Sequence, residues 1–186
     1  KVSVGKNKGD GTFRTTTNYL AGRNPWGVAR GDLNSDGRLD LAVANWSGKN
    51  VSVRLGNGDG TFGAVSHWTV STTPSSVVMG DFNGDGKTDV VTGNWSANNV
   101  SVLLGNGYGS FQMTTNYGVG SRPYWITAGD LDNDGRLDLA VGCYESHYVY
   151  ILMGNRVELL TEDPAGSGLR SGQGRGNLTS GSDYDY

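Results

Sequence analysis

Cysteine, long apolar runs and clustered basic residues are all scarce in this chain of 186 residues. Cys143 is the single cysteine, so no disulfide can form within the chain. No stretch reaches the roughly 18 consecutive apolar residues of a membrane-spanning helix, and no membrane span is predicted. The 15 Lys and Arg residues are scattered without a basic run. These deficits argue against a disulfide-rich fold, a membrane-spanning protein and a nucleic-acid-binding protein.

Catalytic motifs and helical periodicity are missing as well. The sequence contains neither Gly-x-Ser-x-Gly nor His-Glu-x-x-His. Its two histidines, His67 and His147, lie in different phases of the 49-residue repeat described below, so nothing predicts that they meet. No segment of about ten or more residues has the period of an amphipathic helix. We therefore expect an all-β protein that is not an enzyme.

Three copies of an acidic nine-residue segment dominate the sequence, at 32–40, 81–89 and 130–138, each starting 49 residues after the last. Every copy carries an oxygen-bearing side chain at positions 1, 3, 5 and 9 and a glycine at position 6. Alternate side chains can turn their oxygens inward, the glycine permits a sharp turn, and the carbonyl at position 7 can add a ligand. Calcium accepts roughly six to eight such oxygens and tolerates irregular geometry. The segments therefore predict one Ca²⁺ site each, three in all.

Other known calcium-binding loops with similar ligand spacing fit this sequence less well. EF-hands, dockerins and thrombospondin-type repeats need an acid at position 12, where this chain has Val43, Thr92 and Val141. Ordinary acidic surface turns would not recur three times in strict register. Ten of the 18 acidic residues lie in the three segments, and three bound Ca²⁺ would move the net charge from −3 to +3. The acidity therefore indicates cation chelation rather than a surface for a basic partner.

Short alternations of apolar and polar residues follow each acidic segment. In the first repeat they cover 39–43 and 51–55, with a turn at 47–50 between them and a glycine-rich turn at 58–62. Runs of period 2 bounded by Gly, Asn and Asp predict β-strands and hairpins. Each 49-residue unit thus holds about four short strands, which is the size of one propeller blade.

The repeat closely resembles the FG-GAP family, whose bacterial relatives are called VCBS-type repeats. The residues that carry the resemblance run from Gly31 to Asn45 and over 51–53 and 55–62, and the resemblance covers 1–155. It implies a β-propeller of about seven blades, as in integrin α-subunit heads, with Ca²⁺ in the acidic loop between two strands. The ligands it implies are the side chains at positions 1, 3, 5 and 9 and the carbonyl at position 7: Asp32, Asn34, Asp36, Arg38 and Asp40; Asp81, Asn83, Asp85, Lys87 and Asp89; Asp130, Asp132, Asp134, Arg136 and Asp138. Because Asp132 adds a charge where the other loops have Asn, we expect the third loop to bind Ca²⁺ more tightly.

The predicted architecture is three full four-stranded blades after a partial N-terminal blade, together forming part of a larger propeller. The predicted boundaries are 1–18 for the partial blade, then 19–67, 68–116 and 117–155. Gly, Ser, Asn, Arg and Asp dominate 156–186, which we interpret as a linker or the start of a following domain. Since propellers need roughly four to eight blades, either the blades belong to a longer chain or the propeller closes by self-association.

Aromatic residues are the remaining candidates for a functional surface. Trp46, Trp95 and Tyr144 share one phase of the repeat, so in a propeller they form a ring on one face. Such a ring either packs the blades together or offers flat surfaces on which sugars stack. The same two interpretations apply to the other aromatic residues near strand ends: Trp26, Trp68, Tyr124 and Trp125.

These patterns favour a calcium-binding recognition or adhesion scaffold, with a glycan or a protein as its ligand. Calcium loops of modest affinity are filled outside cells, so we expect a secreted or cell-surface protein, of bacterial origin. The main alternative is an ancillary module of a secreted hydrolase or lyase whose catalytic part lies elsewhere. A third interpretation is an enzyme in its own right, with its active site on the propeller axis.

Overall fold

The computed structural model describes residues 1–154 and the backbone of residues 179 and 180, and all regular structure in this part is β. The expected all-β class is therefore confirmed. The strands are β1 (Val2–Val4), β2 (Thr17–Tyr19), β3 (Pro25–Gly31), β4 (Asp40–Asn45), β5 (Asn50–Gly56), β6 (Phe62–Thr69), β7 (Pro74–Gly80), β8 (Asp89–Asn94), β9 (Asn99–Leu103), β10 (Thr115–Gly118), β11 (Pro123–Gly129), β12 (Asp138–Cys143), β13 (Val149–Met153) and β14 (Thr179–Ser180).

The strands form three four-stranded antiparallel sheets and one two-stranded sheet. The first blade is β3-β4-β5-β6, the second is β7-β8-β9-β10, and the third is β11-β12-β13-β14, each in sequence order. Sheets of this meander type are the blades of β-propellers, as predicted. The two strands β1 and β2 pair before the first blade, so a partial blade precedes the three complete ones.

Each acidic segment is the hairpin loop between the first two strands of a blade. The innermost pair that closes the loop is Gly31 with Asp40 in the first blade, and Gly80–Asp89 and Gly129–Asp138 follow in the others. All three blades also share one register irregularity, two residues into the first strand: Pro25/Gly27, Pro74/Ser76 and Pro123/Trp125. The backbone geometry therefore repeats with the same 49-residue period as the sequence.

The core lies between blades rather than inside any one of them. Val51 and Val53 of the first blade cluster with Val77 and Val90 of the second. A second cluster joins the second and third blades through Val91, Val100, Val102, Ile126, Leu139, Val141 and Leu152. Burying a valine side chain contributes roughly 1.5–3 kcal/mol, so each blade depends on its neighbours for stability.

The predicted repeat boundaries at 19, 68 and 117 fall within or at the end of the outermost strand of a sheet (β2, β6 and β10). Each sheet itself begins six residues later, at Pro25, Pro74 or Pro123. The predicted linker at 156–186 lies outside the described residues, apart from β14, whose backbone pairs with β13. Within the part of the chain that the structure describes, no helix has the length and apolar character needed to cross a membrane.

Candidate functional site

The carboxylate at position 1 of each acidic loop accepts hydrogen bonds from the loop's own backbone. One oxygen of Asp32 accepts from the amide of Gly37 at 2.7 Å, and the other accepts from Asn34 and Asp36 at 3.3 and 3.2 Å. The same contact to the position 6 glycine recurs in the other loops, Gly86 to Asp81 at 2.7 Å and Gly135 to Asp130 at 2.9 Å. The glycines have φ of +79°, +79° and +87°, a region that disfavours other residues. Glycine at position 6 therefore lets the loop curl around its first carboxylate.

The carboxylate at position 9 ties the loop to the rest of the blade. Asp40 is fully buried, and its two oxygens accept from the amides of Leu33, at 2.7 Å, and Gly56, at 2.8 Å. Gly56 ends the third strand of the blade, 16 residues further along the chain. The equivalent aspartates repeat the bridge, Asp89 with Phe82 and Gly105, and Asp138 with Leu131 and Gly154. Each blade is thus closed at its loop end by one buried carboxylate.

Burial and neighbouring carboxylates disfavour the charged form of the position 9 aspartate. Desolvation raises the pKa of Asp89 to about 6, against hydrogen bonds from Gly105 and Phe82 that lower it, and the charges of Asp85 and Asp81 raise it further. The pKa of Asp40 is also raised, with the same order of causes. At the mouth of the loop, desolvation works against the charge of Asp32, but the backbone amides that it accepts from lower its pKa. A bound cation would offset the repulsion among these carboxylates.

The oxygen groups of the first and third loops fit a hard cation such as Ca²⁺. In the first loop, Asn34 donates its amide nitrogen to Asp36 at 3.0 Å, and its Oδ1 is buried without a hydrogen-bond partner. In the third loop, carboxylate oxygens of Asp130, Asp132 and Asp138 lie within 4.8 Å of one another. An orphaned buried oxygen and a convergent set of carboxylates are what an oxygen-coordinated cation requires.

The position 5 and position 7 residues pair with each other at the loop surface. Position 5 accepts from the backbone amide of position 7 at 2.9–3.0 Å in all three loops. Their side chains also form ion pairs at 4.0, 3.4 and 3.9 Å: Arg38–Asp36, Lys87–Asp85 and Arg136–Asp134. Such surface pairs contribute little to stability, so their main effect is to hold the position 5 carboxylate in place.

At the opposite end of the same strands, aromatic rings form a row across the three blades. Trp46, Trp95 and Tyr144 each follow the second strand of a blade, with ring centroids 5.8 Å apart for the first pair and 5.5 Å for the second. Trp26 extends the row at 5.0 Å from Trp46. The backbone amides of the three predicted residues donate at 2.9 Å to the same kind of turn, at Asn24, Thr73 and Arg122. We call Trp26, Trp46, Trp95 and Tyr144 the aromatic row.

The rings of the aromatic row are not equally available to a ligand. Trp46 and Trp95 are half-buried, each with ring neighbours on both sides, and the Arg122 guanidinium lies 5.4 Å from the Trp95 ring. Tyr144 and Trp26, at the two ends, are exposed. The inner rings therefore pack on one another, whereas the end rings face solvent.

Other aromatic residues divide in the same way. Trp68 packs edge-to-face on Phe111 at 5.1 Å, in the core between the first and second blades. Trp125 is exposed, and it lies edge-to-face with Tyr124, which in turn contacts Trp95 at 5.4 Å. Exposed Tyr148, near Tyr144, was not among the sequence candidates, because the other repeats have Asn50 and Asn99 at its position.

The two histidines lie in separate blades, and His67 contacts a buried serine. His67 Nδ1 lies 3.0 Å from Ser52 Oγ, but Ser52 is closed to solvent. The second blade makes the same contact with Asn116 in place of His67, so the arrangement is structural. Cys143 is buried too, and desolvation raises the pKa of its thiol, which disfavours a reactive thiolate.

The acidic loops and the aromatic row lie at opposite ends of the blades. In the first blade the loop ends where β4 begins, and Trp46 follows where β4 ends. A six-residue strand separates the two by about 20 Å. A cation in the loop therefore has no direct contact with a ligand on the aromatic row.

Comparison with known proteins gives one family and one structural neighbour. The model of the FG-GAP-like repeat family matches residues 1–43, 32–92 and 81–141. Among 29 matching chains of solved structures is an Agrocybe aegerita lectin described as recognising non-reducing terminal N-acetylglucosamine. It shares 22% identity with a TM-score of 0.53, and the alignment covers 82% of this chain and 43% of the lectin. The chain thus spans less than half of the length of that lectin, and the likeness concerns the fold. No curated protein sequence matches the chain.

Proposed function

Because the chain belongs to the FG-GAP-like repeat family, we propose that it is a calcium-stabilised scaffold that recognises glycans. The observation that carries the calcium part is the orphaned Oδ1 of Asn34, buried inside a loop whose other candidate ligand side chains are carboxylates. The recognition part is supported by the exposed rings at the ends of the aromatic row and by the fold shared with a lectin. We place its site of action outside the cell, where Ca²⁺ is abundant.

The side chains at positions 1, 3 and 9 of each loop would hold Ca²⁺, with position 5 and the carbonyl of position 7 completing the shell. Bound Ca²⁺ supplies positive charge and no chemistry of its own. The chain's part is to hold the oxygens in place through backbone amides, and the position 9 bridge passes the restraint to the third strand. Binding energy in such a loop becomes folding energy for the blade.

Calorimetric titration of the chelator-stripped protein tests the calcium proposal. We expect three sites and a clear rise in melting temperature at millimolar Ca²⁺, since a ligand that binds only the folded state stabilises it. Mg²⁺ at the same concentration is the control, because it prefers fewer protein ligands and a stricter geometry. An unchanged melting temperature with no heat of binding would refute the calcium proposal.

A printed array of neutral and acidic saccharides, read with Ca²⁺ and with chelator, tests the glycan proposal. Terminal N-acetylglucosamine is the first probe because the structural neighbour is described as recognising it. Since the loops lie about 20 Å from the aromatic row, chelation is expected to weaken binding only as far as it unfolds the blades. Binding of no saccharide would leave a protein ligand as the remaining form of the recognition proposal.

We further propose that the described blades are not catalytic, because Ser52, the hydroxyl that contacts His67, is itself closed to solvent. The alternative of an ancillary module within a secreted enzyme keeps the same binding role for these residues. Self-association to complete a propeller stays a prediction, which sedimentation of the purified chain at several concentrations would test.

A further inference from the structure

We propose that the outer face of the third blade is a saccharide-binding cleft with two adjoining subsites, separated by Trp125. The proposal rests on the glycan-recognition function above and names where and how the sugar is held. The outer face is the surface of β11, β12 and β13 that points away from the second blade.

The first observation is a change at one repeated position of the first strand. Gly27, Ser76 and Trp125 occupy this position in the three blades, and in the first two blades this side faces the next blade along the chain. A Cβ placed on Gly27 would lie 3.2 Å from the Cα of Ser76 and 3.3 Å from the Ser75 oxygen, so the backbones of neighbouring blades nearly touch there. Ser76 is likewise only 4% exposed.

Trp125 is incompatible with that close approach. An indole at this position would meet the backbone of a neighbouring blade at the distance seen for Gly27, so the close packing of the first two blades cannot be repeated unchanged on the outer face. Trp125 is instead 70% exposed. Val149 is 66% exposed, whereas its equivalents Val51 and Val100, covered by the next blade, are 0% exposed. Among the described residues, the outer face is therefore an exposed, apolar and aromatic surface.

The second observation is a pair of cavities that share this surface. One has a volume of about 320 Å³, and the other has a volume of about 300 Å³. Trp125, Gly142 and Val149 line both cavities, and Gly142 contributes no side chain to that shared lining. The rings of Tyr124, Tyr144 and Tyr148 surround the first cavity, and Thr127 and Ala140 line the second.

The chemistry of this lining matches a neutral pyranose. Flat aromatic rings stack on the C–H face of a sugar, and exposed tyrosine and tryptophan bury apolar area while keeping a polar edge in water. Tyrosine hydroxyls and the His147 imidazole can hydrogen-bond to sugar hydroxyls. The described lining of both cavities contains no carboxylate, guanidinium or ammonium group, which favours neutral over acidic saccharides. Two adjoining cavities that share one indole fit two adjacent sugar rings.

The test begins with the saccharide array and continues with calorimetry on the strongest saccharide bound. The variant Trp125→Ser carries the residue that the second repeat has at this position, and Tyr148→Asn carries the residue of the first two repeats. The matched control is Tyr108→Asp, which removes an exposed ring outside the cleft and restores the residue of the first repeat. Because all three side chains are exposed, thermal unfolding should show that the variants remain folded.

We expect the array to select neutral oligosaccharides, with a disaccharide binding at least about tenfold more tightly than its terminal monosaccharide. Trp125→Ser and Tyr148→Asn should each weaken binding by about tenfold or more, and Tyr108→Asp should leave it unchanged. In spectra of the five indole N–H groups, the signal absent from Trp125→Ser should be the one that sugar shifts most.

Three outcomes would overturn the proposal. Saccharide binding that survives both cleft substitutions would place the glycan site elsewhere and leave the glycan-recognition function standing. A preference for acidic sugars would contradict the uncharged lining. A Trp125→Ser variant that changes the sedimentation of the protein instead of its sugar affinity would identify the outer face as a protein interface. An array without any bound saccharide would refute the glycan-recognition function itself.

Discussion

Replacing Val43 with threonine is expected to stabilise the protein, although a buried hydroxyl normally destabilises a core. The second blade shows why, since Thr92 Oγ1 donates to Asn94 Oδ1 at 3.1 Å. In the first blade, the equivalent oxygen of Asn45 is buried without a hydrogen-bond partner, and Val43 stands where the second blade has Thr92. Val43→Thr therefore supplies the donor that Asn45 lacks.

The size of the effect follows from two opposing contributions. An unsatisfied buried acceptor costs about 1–3 kcal/mol, and satisfying it recovers most of that. Losing one buried methyl group costs roughly 0.8 kcal/mol of apolar burial, because Val43 is itself buried. The expected net gain in the free energy of unfolding is about 0.5–1.5 kcal/mol. For a chain of this size, each kcal/mol raises the melting temperature by about 2–4 °C.

Two reference variants separate this hydrogen bond from general effects of the substitution. Val141→Thr makes the same change in the third blade, where Cys143 replaces the asparagine, and should cost about 1–2 kcal/mol. Thr92→Val should cost about 1–3 kcal/mol, because it orphans the oxygen of Asn94. Urea unfolding at saturating Ca²⁺, with tryptophan fluorescence as the signal, measures the free energy of unfolding of all three variants. A loss in Val43→Thr as large as that in Val141→Thr would refute the reasoning.

Two further predictions concern the acidic loops. Asn34→Ala should weaken Ca²⁺ binding at the first loop by roughly tenfold or more and leave the other two sites intact, as read by calorimetry, because it removes both the orphaned oxygen and the amide hydrogen bond that positions Asp36. The raised pKa of Asp89, about 6, lies above its unfolded value of about 3.9, so the folded state binds the extra proton between these values. In chelator, the contribution of Asp89 to stability should therefore fall as the pH rises from about 4 to about 6, measured as the difference between wild type and Asp89→Asn. With Ca²⁺ present, affinity should instead fall as the pH drops below about 6, and a flat difference across this range would contradict the assignment.

The fold was accessible from sequence because its signals are local and repeated. Alternation over four to seven residues, the glycines of the turns and the 49-residue period all act within one blade, so the hairpin position of the acidic loops could be predicted. The hydrogen-bond partner of the position 9 carboxylate could not be predicted. Asp40 accepts from the backbone amide of Gly56 on the next strand, and almost any residue can supply such an amide.

The arrangement of the aromatic residues was likewise predictable only in part. A shared phase was enough to place Trp46, Trp95 and Tyr144 in one row, but not to tell which rings cover one another. Tyr148 was not predicted, because the first two repeats have asparagine at its position. Trp125 occupies a repeated position, but whether a side chain fits there depends on how closely two blade backbones approach. Only the structure shows that distance. At this outer face, the proposed cleft depends on the residues that depart from the repeat.

The sequence-ordered pairing of the strands has a consequence for synthesis on the ribosome. The first blade makes all of its sheet contacts within Pro25–Thr69, and the second makes all of its own within Pro74–Gly118. No strand of either has to wait for a distant segment of the nascent chain before it can pair. Each sheet can form soon after it leaves the exit tunnel, and it then offers a template face against which the following blade settles. Growth of the stack in this order keeps only one apolar face uncovered at a time on the growing side.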